Sequence, residues 1–419
     1  MADSGGRRRR ILYVSYDGMT DPLGESQVIP YVLALTDRGY DFHLLSFEKP
    51  DRFKTGRDRI GGLLRERGVV WVPMPFTAKP LLLAKAYVGW RLRRAVGSLH
   101  REVRFDLVHC RSYPAADAAL ALKKRTGVPY LFDMRGFWVD ERVEGGIWDR
   151  TLPHYAALYR YFKRRERKYL AAAAGVVTLT EAAVTEMATW EGLPELNTEI
   201  IPCAVDTGLF KASGNPMERA RARADLSVPA EGLVVGYLGS VSTWYLLDDM
   251  LRLFARILKR RTDAWFVFIT SESASSLQAA AAKHGVPPEH IIAKEATRDE
   301  VPRYLEAMDL SLFFIRPSYS KTASCPTKLG ELMALGVPSI TNTGVGDVDR
   351  IMATYQAGLV LDDLEDAALE GAVDQLDELL ASPREPMVQG AREYFDLETA
   401  VEKYASMYEQ ILEASTCVE

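Results

Sequence analysis

The chain contains few cysteines: four among 419 residues, at Cys110, Cys203, Cys325 and Cys417. Their wide spacing matches no zinc-site pattern, so the composition favours reduced thiols in a cytoplasmic protein. Cys325 is of further interest only because it lies in a segment that also carries candidate binding residues.

Long hydrophobic runs are absent too. No stretch approaches the roughly 18 apolar residues of a membrane-spanning helix. The basic residues 1–10 are not followed by the apolar core of a signal peptide, and the apolar run 11–16 is only long enough for a β-strand. We therefore expect a cytoplasmic protein, either soluble or peripherally bound to the inner face of the cytoplasmic membrane.

Charge is unevenly distributed along the chain, although the net charge is only −5. Residues 1–200 hold 32 Lys and Arg against 24 Asp and Glu, while the remainder holds 20 against 33, giving +8 and −13. A basic half in an acidic protein indicates an anionic partner, either lipid or nucleic acid. The chain has no helix-turn-helix or RNA-binding signature, so we expect no nucleic-acid partner.

A basic amphipathic helix is predicted over residues 81–105. Its apolar stripe consists of Val88, Leu92, Val96, Leu99 and Val103. The basic residues around the stripe are Lys85, Arg91, Arg93, Arg94, Arg101 and Arg104. Such a helix suits an anionic bilayer surface, but the same stripe suits the protein core equally well. A second basic cluster at residues 163–168, preceded by several aromatic residues, favours the membrane interpretation.

Several familiar catalytic motifs are missing. The Gly/Pro-containing loop 17–27 lacks the third glycine of a dinucleotide-binding fingerprint, and no Ser-His-Asp order or metal cluster can be traced. Asp347-Val-Asp349 formally matches an Asp-x-Asp metal site. It starts a predicted helix after Gly344 and Gly346, so helix capping explains it better, and we expect no bound metal.

The alternation of strands and helices predicts an α/β protein. A strand at 11–16, a helix at 28–38 and a strand at 42–47 form a β-loop-α-β unit with parallel pairing. The pattern recurs where the strand 233–238 ends in Gly239 and Ser240 and a helix follows at 246–259. Two such starts predict two Rossmann-like domains that face each other, with a ligand at the cleft.

The segment 324–347, SCPTKLGELMALGVPSITNTGVGD, carries the strongest functional signal. It predicts a loop, a short helix from Lys328 to Leu335 and a buried strand at 338–341, after an apolar strand at 310–315. Lys328 near the helix start suits a phosphate, and Glu331 one turn later suits a pair of sugar hydroxyls. An ordinary helix-strand unit of an α/β protein is the alternative.

This segment resembles the donor-binding segment of GT-B glycosyltransferases of family 4, in a form typical of bacterial surface polysaccharide synthesis. The resemblance implies that Glu331 holds the donor ribose and that Lys328 lies near the phosphates. Many members carry a second glutamate eight residues before the position of Glu331. In this chain that position is occupied by Ala323. The stretch 200–210, IIPCAVDTGLF, resembles the crossover between the two GT-B domains, with Cys203 and Ala204 as departures.

The resemblance also assigns residues around the donor phosphates. It implies that Gly239 and Ser240, in the loop after strand 233–238, contact the diphosphate. The Arg and Lys that many members carry in this loop are absent. Arg316 or Lys321 is then a candidate for the positive charge that those two residues would bring to the diphosphate. In the first loop, Gly24 matches a glycine whose region approaches the donor phosphate or the acceptor, while a structural turn is the alternative.

Ionisable residues also follow two neighbouring strands of the first half. His109 and Arg111 end the strand 105–112, and Asp133 and Arg135 follow the strand 129–133. Such groups at strand ends are candidates for acid–base chemistry or anion binding, with helix caps and ion pairs as the alternative. We predict that Asp133, Arg135 and His109 face the acceptor or the anomeric carbon.

The resemblance implies a retaining hexosyltransferase that transfers a sugar from a UDP- or GDP-sugar donor to a hydroxyl acceptor and needs no further cofactor. The basic first half of the chain favours a lipid-linked glycan as that acceptor. Predicted domains are 1–205 on the acceptor side, 206–388 on the donor side, and 389–419, whose long helix at 390–415 returns to the first domain. Two other functions remain open: a sugar-nucleotide 2-epimerase of the same architecture, and a non-catalytic scaffold that binds nucleotide sugar or lipid.

Overall fold

The computed structural model describes residues 7–76, 81–241 and 243–416, without the side chains of residues 81–86 and 416. The predictions for Cys417 and for the Lys85 side chain lie outside these residues. The chain divides into two compact units: residues up to Pro202 together with those from Leu397 onward form unit 1, and Cys203–Asp396 form unit 2.

Unit 1 is built on a seven-stranded parallel sheet in the order β3-β2-β1-β4-β5-β6-β7. Its strands are β1 Arg9–Ser15, β2 Tyr40–Glu48, β3 Val70–Pro75, β4 Leu107–Arg111, β5 Tyr130–Asp133, β6 Gly175–Thr178 and β7 Thr198–Ile200. Its first helices are α1 Pro22–Gln27, α2 Ile29–Asp37, α3 Pro50–Glu66, α4 Leu81–Val103, α5 Ser112–Thr126, α6 Trp138–Glu144, α7 Pro153–Ala172 and α8 Glu181–Ala188. The centre of β1 is fully buried, as expected of an apolar strand in a parallel sheet covered on both faces.

Unit 2 contains a six-stranded parallel sheet in the order β10-β9-β8-β11-β12-β13. Its strands are β8 Leu233–Leu238, β9 Ala264–Ile269, β10 Ile291–Lys294, β11 Leu310–Leu312, β12 Ser339–Asn342 and β13 Gly358–Leu361. Its helices are α9 Pro216–Asp225, α10 Leu247–Arg260, α11 Ala274–Ala282, α12 Val301–Glu306, α13 Thr327–Ala334, α14 Val348–Thr354, α15 Asp366–Asp374, α16 Leu376–Ala381 and α17 Glu385–Tyr394. The predicted α/β class and the two Rossmann-like domains are confirmed.

The last helix, α18 Leu397–Thr416, belongs to unit 1 and packs against α2. The prediction of one continuous helix over 390–415 is wrong, because α17 ends at Tyr394 and two residues separate it from α18. At this break the amide of Val205 donates to the carbonyl of Phe395 at 2.7 Å, and Val205 forms a parallel bridge with Asp396. Such extended pairing is incompatible with an uninterrupted helix.

Two local predictions also differ from the structure. The predicted loop 17–27 contains the short helix α1. The predicted strand 310–315 is regular only to Leu312. Further on, Ile315 forms an antiparallel bridge with Tyr245 and is also held by the side chain of Asn342. Its amide nitrogen donates to the carbonyl of Ile315 at 2.9 Å, and its oxygen accepts from the amide of Ile315 at 2.7 Å.

The apolar stripe of α4 faces the core of unit 1. Val88, Leu92 and Val96 are buried, so the interpretation of this stripe as a membrane-facing surface is wrong. The alternative is correct, because an apolar stripe on a helix is most stable when the rest of the domain covers it. Among the described residues, no helix is both long enough and apolar enough to cross a membrane.

Candidate functional site

Helix α13 places two ionisable side chains at the carboxyl edge of the unit 2 sheet. It follows β11, and in a parallel sheet the helix after a strand begins near the carboxyl end of that strand. Lys328 and Glu331 lie one turn apart on α13, and they are only 6% and 3% exposed. The sequence predicts this pair but not its burial.

Aromatic rings surround the Lys328 ammonium. Its Nζ lies 3.7 Å from the ring centroid of Tyr245, 4.0 Å from that of Tyr237 and 5.6 Å from that of Phe313. Burial holds the pKa of Lys328 well below its usual value, and the charge of Glu331 opposes this effect only in part. The position therefore combines a cation, π faces and little water.

The Glu331 carboxylate is held by a residue that the sequence analysis missed. Arg298, in the loop before α12, donates to Oε1 of Glu331, and its guanidinium lies 4.3 Å from the ring centroid of Phe210. Burial raises the pKa of Glu331, while Arg298 and Lys328 act in the opposite direction. Nothing in the local sequence marks Arg298, because it precedes Glu331 by 33 residues and meets it only through the fold.

Gly239 lies against Lys328 at the end of β8. Its φ is +108°, and a Cβ atom here would stand 3.7 Å from Nζ of Lys328. The structure thus brings these two predicted donor residues together. The Gly239 amide donates to the carbonyl of Ile269 at 2.9 Å, which argues against a phosphate contact through this amide. Ser240 is exposed beside it, and its carbonyl accepts from the Tyr237 hydroxyl at 2.5 Å.

Two further cations meet at Trp244, in the loop after β8. The Arg316 guanidinium lies 4.9 Å from the ring centroid of Trp244 and the Lys321 ammonium lies 3.8 Å from it. Arg316 is exposed and its amide donates to the carbonyl of Trp244 at 2.8 Å, whereas Lys321 is buried. These residues follow β11 and stand near the same sheet edge, but aromatic stacking on Trp244 was not predicted.

Asp347 and Asp349 have separate partners at the start of α14. Oδ2 of Asp347 accepts from the Tyr394 hydroxyl at 2.9 Å, and Oδ2 of Asp349 accepts from the Thr343 hydroxyl. Asp347 occupies the N-cap position but makes no side-chain capping hydrogen bond, so the capping explanation is wrong in that detail. Each carboxylate instead fixes a neighbouring segment of unit 2.

In unit 1, His109 and Asp133 meet at the ends of β4 and β5. Nε2 of His109 lies 3.5 Å from Oδ2 of Asp133, and Nδ1 lies 2.6 Å from the Tyr408 hydroxyl of α18. The Tyr404 hydroxyl donates to Asp133 at 3.1 Å. His109 and Asp133 are almost completely buried, which argues against the prediction that they contact an acceptor directly. Within unit 1 they tie the sheet to α18.

Arg111 and Arg135 complete the charge balance of this cluster. Their guanidinium nitrogens lie 3.8 and 3.9 Å from the Asp133 carboxylate, and Arg111 also donates to Asp17 at 3.3 Å. Burial opposes ionisation of Asp133, but Arg135, His109 and Arg111 outweigh it and lower its pKa. For His109 burial prevails and lowers the pKa. Arg135 adopts a left-handed φ of +56°, which is uncommon for a residue with a side chain.

Gly24 has a packing function inside α1. A Cβ atom at this position would stand 2.1 Å from the carbonyl oxygen of Gly18 and 2.7 Å from Cα of Met19. The loop that approaches it is fixed by Glu48, which accepts from the amides of Met19 at 2.8 Å and Thr20 at 3.2 Å. Gly24 belongs to unit 1, whereas Lys328, Glu331 and Gly239 belong to unit 2.

These two parallel-sheet units match solved GT-B glycosyltransferase structures. A glycosyltransferase from Rickettsia africae gives a TM-score of 0.73 at 15% identity, covering 97% of this chain and 99% of the other. Anabaena Alr3699/HepE in complex with UDP and glucose gives 0.70 at 16% identity, covering 95% and 99%. At these identities the similarity establishes the fold.

The family follows from the sequence models. Residues 28–204 match the model described as a glycosyl transferase 4-like domain, and residues 218–394 match the model for glycosyl transferases group 1. This chain belongs to the family 4-like glycosyltransferases of the GT-B class, as the sequence analysis predicted, and it is a transferase.

Two curated relatives agree with this family assignment. D-inositol 3-phosphate glycosyltransferase of Acidothermus cellulolyticus is 24% identical over 321 residues, covering 74% of this chain and 68% of the relative. 2-Deoxystreptamine glucosyltransferase of Streptomyces kanamyceticus is 28% identical over 149 residues, covering 35% and 38%.

Proposed function

We propose that this glycosyltransferase moves a hexose from a UDP- or GDP-sugar to a hydroxyl group of a glycan or lipid-linked glycan, with retention of anomeric configuration. The observation that carries the donor assignment is the position of the Lys328 ammonium beside Gly239, at the carboxyl end of β8. Ligands of open parallel α/β sheets bind outside the carboxyl ends of the strands. Structures of similar fold contain UDP and UDP-glucose.

Each polar group has a distinct task in this proposal. Lys328 balances the charge of the donor diphosphate and stabilises it as the leaving group. Glu331 accepts hydrogen bonds from the ribose hydroxyls, while Arg298 keeps the carboxylate in place. Arg316 and Lys321 supply further positive charge near the same sheet edge. Retention rests on the resemblance to family 4, in which an oxygen of the departing phosphate helps deprotonate the acceptor.

A panel of UDP-, GDP- and ADP-sugars, incubated with hydroxyl acceptors and followed by nucleoside diphosphate release, tests the reaction. We expect Glu331→Gln to reduce kcat/KM by at least about 100-fold, because a neutral amide replaces a buried carboxylate that binds two hydroxyls. Glu378→Gln, at an exposed glutamate of α16, is the matched control. Full activity of Glu331→Gln would reject the ribose assignment.

The same panel distinguishes the other two functions. An epimerase converts the nucleotide sugar without any acceptor, and a scaffold binds it without turnover. Either result in place of acceptor-dependent release would overturn the proposed transfer reaction.

We also propose that the protein binds peripherally to an anionic membrane through α4. On this helix Tyr87 and Trp90 are 50% and 57% exposed. Their rings stack at 6.2 Å, and the Arg91 and Arg94 guanidiniums lie 5.5 and 5.8 Å from the Tyr87 and Trp90 ring centroids. Aromatic rings beside cations suit the interface of an anionic bilayer. The cluster at 163–168 is less suitable, because Lys163 bridges Asp140 and Glu166 within unit 1.

Flotation with liposomes that contain anionic lipid tests this surface. We expect the wild type and the control Met217→Ser, at an exposed residue of unit 2, to float at low salt, and Tyr87→Ser/Trp90→Ser to float several-fold less. Equal flotation of the double variant, or none of the wild type, would exclude a membrane role for this surface.

A further inference from the structure

The Lys328 ammonium lacks the surroundings that normally stabilise a buried charge. Among the residues that the structure describes, none forms a hydrogen bond with its Nζ. The rings of Tyr237, Tyr245 and Phe313 cover it instead. Cation–π contacts replace part of the lost hydration, yet they contribute much less than a hydrogen-bonded counter-charge.

Charged groups near the enclosure formed by these three rings compensate the ammonium only in part. Glu331, the nearest carboxylate on α13, is engaged by Arg298. Glu272 acts electrostatically on Tyr237, and Cys203 acts on Tyr245. Burial keeps the Tyr245 hydroxyl protonated by raising its pKa to about 12, so its ring remains neutral. An added anion would therefore stabilise the charge of the Lys328 ammonium further.

Tyr245 is the wall of this enclosure that belongs to the loop after β8. Tyr237 and Phe313 are fully buried, whereas Tyr245 is half-buried. An antiparallel bridge between Tyr245 and Ile315 holds its backbone, and the amide of Leu246 donates to the carbonyl of Phe314 at 3.0 Å. The backbone is thereby held at a position where the ring centroid lies 3.7 Å from Nζ of Lys328.

We propose that Tyr245 is a positioning residue that acts through Lys328: it keeps water from the ammonium, so that binding of the donor diphosphate is accompanied by uptake of a proton. The inference rests on the proposed function, because the diphosphate is the anion that restores the missing counter-charge. Removing the ring admits water, which lets Lys328 stay protonated without a ligand and reduces proton uptake.

The sign of the pH dependence follows from the lowered pKa of Lys328 in the free protein. Above that pKa the amine is uncharged and must be protonated on binding, so the Kd for a diphosphate rises with pH, by up to about tenfold per unit. Below it the amine is already charged and the Kd is independent of this group.

Calorimetric titration with UDP and with GDP tests the proposal. At about pH 8.5 the terminal phosphate, with a second pKa of about 6, is fully ionised and takes no part. Titrations in two buffers of different ionisation enthalpy give the number of protons bound. We expect net proton uptake in the wild type and similar uptake in Tyr245→Phe, and at most half the wild-type value in Tyr245→Leu.

Lys328→Met identifies the group that takes up the proton, because any residual binding by this variant is expected without uptake. Binding by the wild type without uptake and with a pH-independent Kd would overturn the inference while leaving the donor site intact. Wild-type uptake in Tyr245→Leu would overturn the role of Tyr245. Failure of both nucleotides to bind at any pH would reject the proposed function, and the inference with it.

Discussion

At the scale of single residues, the donor site combines two groups whose burial works against their charge. Lys328 is enclosed by aromatic rings and Glu331 depends on Arg298 for a partner. Burial lowers the pKa of the lysine and raises that of the glutamate, as desolvation does for any cation or carboxylate. Such an arrangement costs folding stability and is explained if a ligand later supplies the missing interaction.

The variant Lys328→Met is therefore expected to be more stable than the wild type in the absence of ligand. Methionine has a similar length and carries no charge, so the free energy of unfolding should rise by about 1–3 kcal/mol. Thermal and urea unfolding at neutral pH measure this change. Lys259→Met, at an exposed position of α10, is the control and should change stability little. A loss of stability in Lys328→Met would contradict our account of this site.

At the scale of elements, the contacts of α4 and α18 could not be read from their sequences. Both have apolar residues at helical spacing, and both stripes are buried in unit 1. Periodicity predicts that a helix has an apolar face, but it does not identify what covers that face. The break before α18 was missed for a related reason, because the Val205 amide that meets Phe395 lies far away in sequence.

Helix α18 is held to the sheet of unit 1 partly through Tyr408. Tyr408→Phe removes the hydroxyl 2.6 Å from Nδ1 of His109 and leaves that buried nitrogen without a hydrogen bond. We expect the free energy of unfolding to fall by about 1–3 kcal/mol. Binding of UDP or GDP should not change, because the donor residues lie in unit 2. Gln410→Ala, on the exposed side of α18, is the control, and equal stability of the two variants would refute the structural role of Tyr408.

At the scale of the whole molecule, the two units differ in how the chain builds them. Unit 2 is continuous from Cys203 to Asp396, and its sheet, core and donor residues all come from this segment. Unit 1 needs residues from both ends of the described chain, because α18 contributes the side chains that cover His109 and Asp133.

This difference predicts the behaviour of separate segments. Residues 203–396 alone should fold cooperatively and bind UDP or GDP, whereas residues 1–202 alone should lack a cooperative transition because their core loses α18. Circular dichroism and calorimetric unfolding of the two segments test this expectation. Cooperative unfolding of residues 1–202 with wild-type midpoint would show that α18 is dispensable.

The sequence by itself determined the α/β class, the repeated strand-loop-helix start, the family and the pair Lys328 and Glu331. These features depend on local periodicity and on short motifs, so they are visible without a structure. The roles of individual groups are not visible in this way. The Gly239 amide donates to the carbonyl of Ile269, and Nδ1 of His109 lies against the Tyr408 hydroxyl. Only the tertiary structure decided which groups are buried and where α18 packs. It also decided that Arg298 pairs with Glu331 and that aromatic rings surround Lys328. Each of those outcomes depends on desolvation and on contacts between residues far apart in the chain.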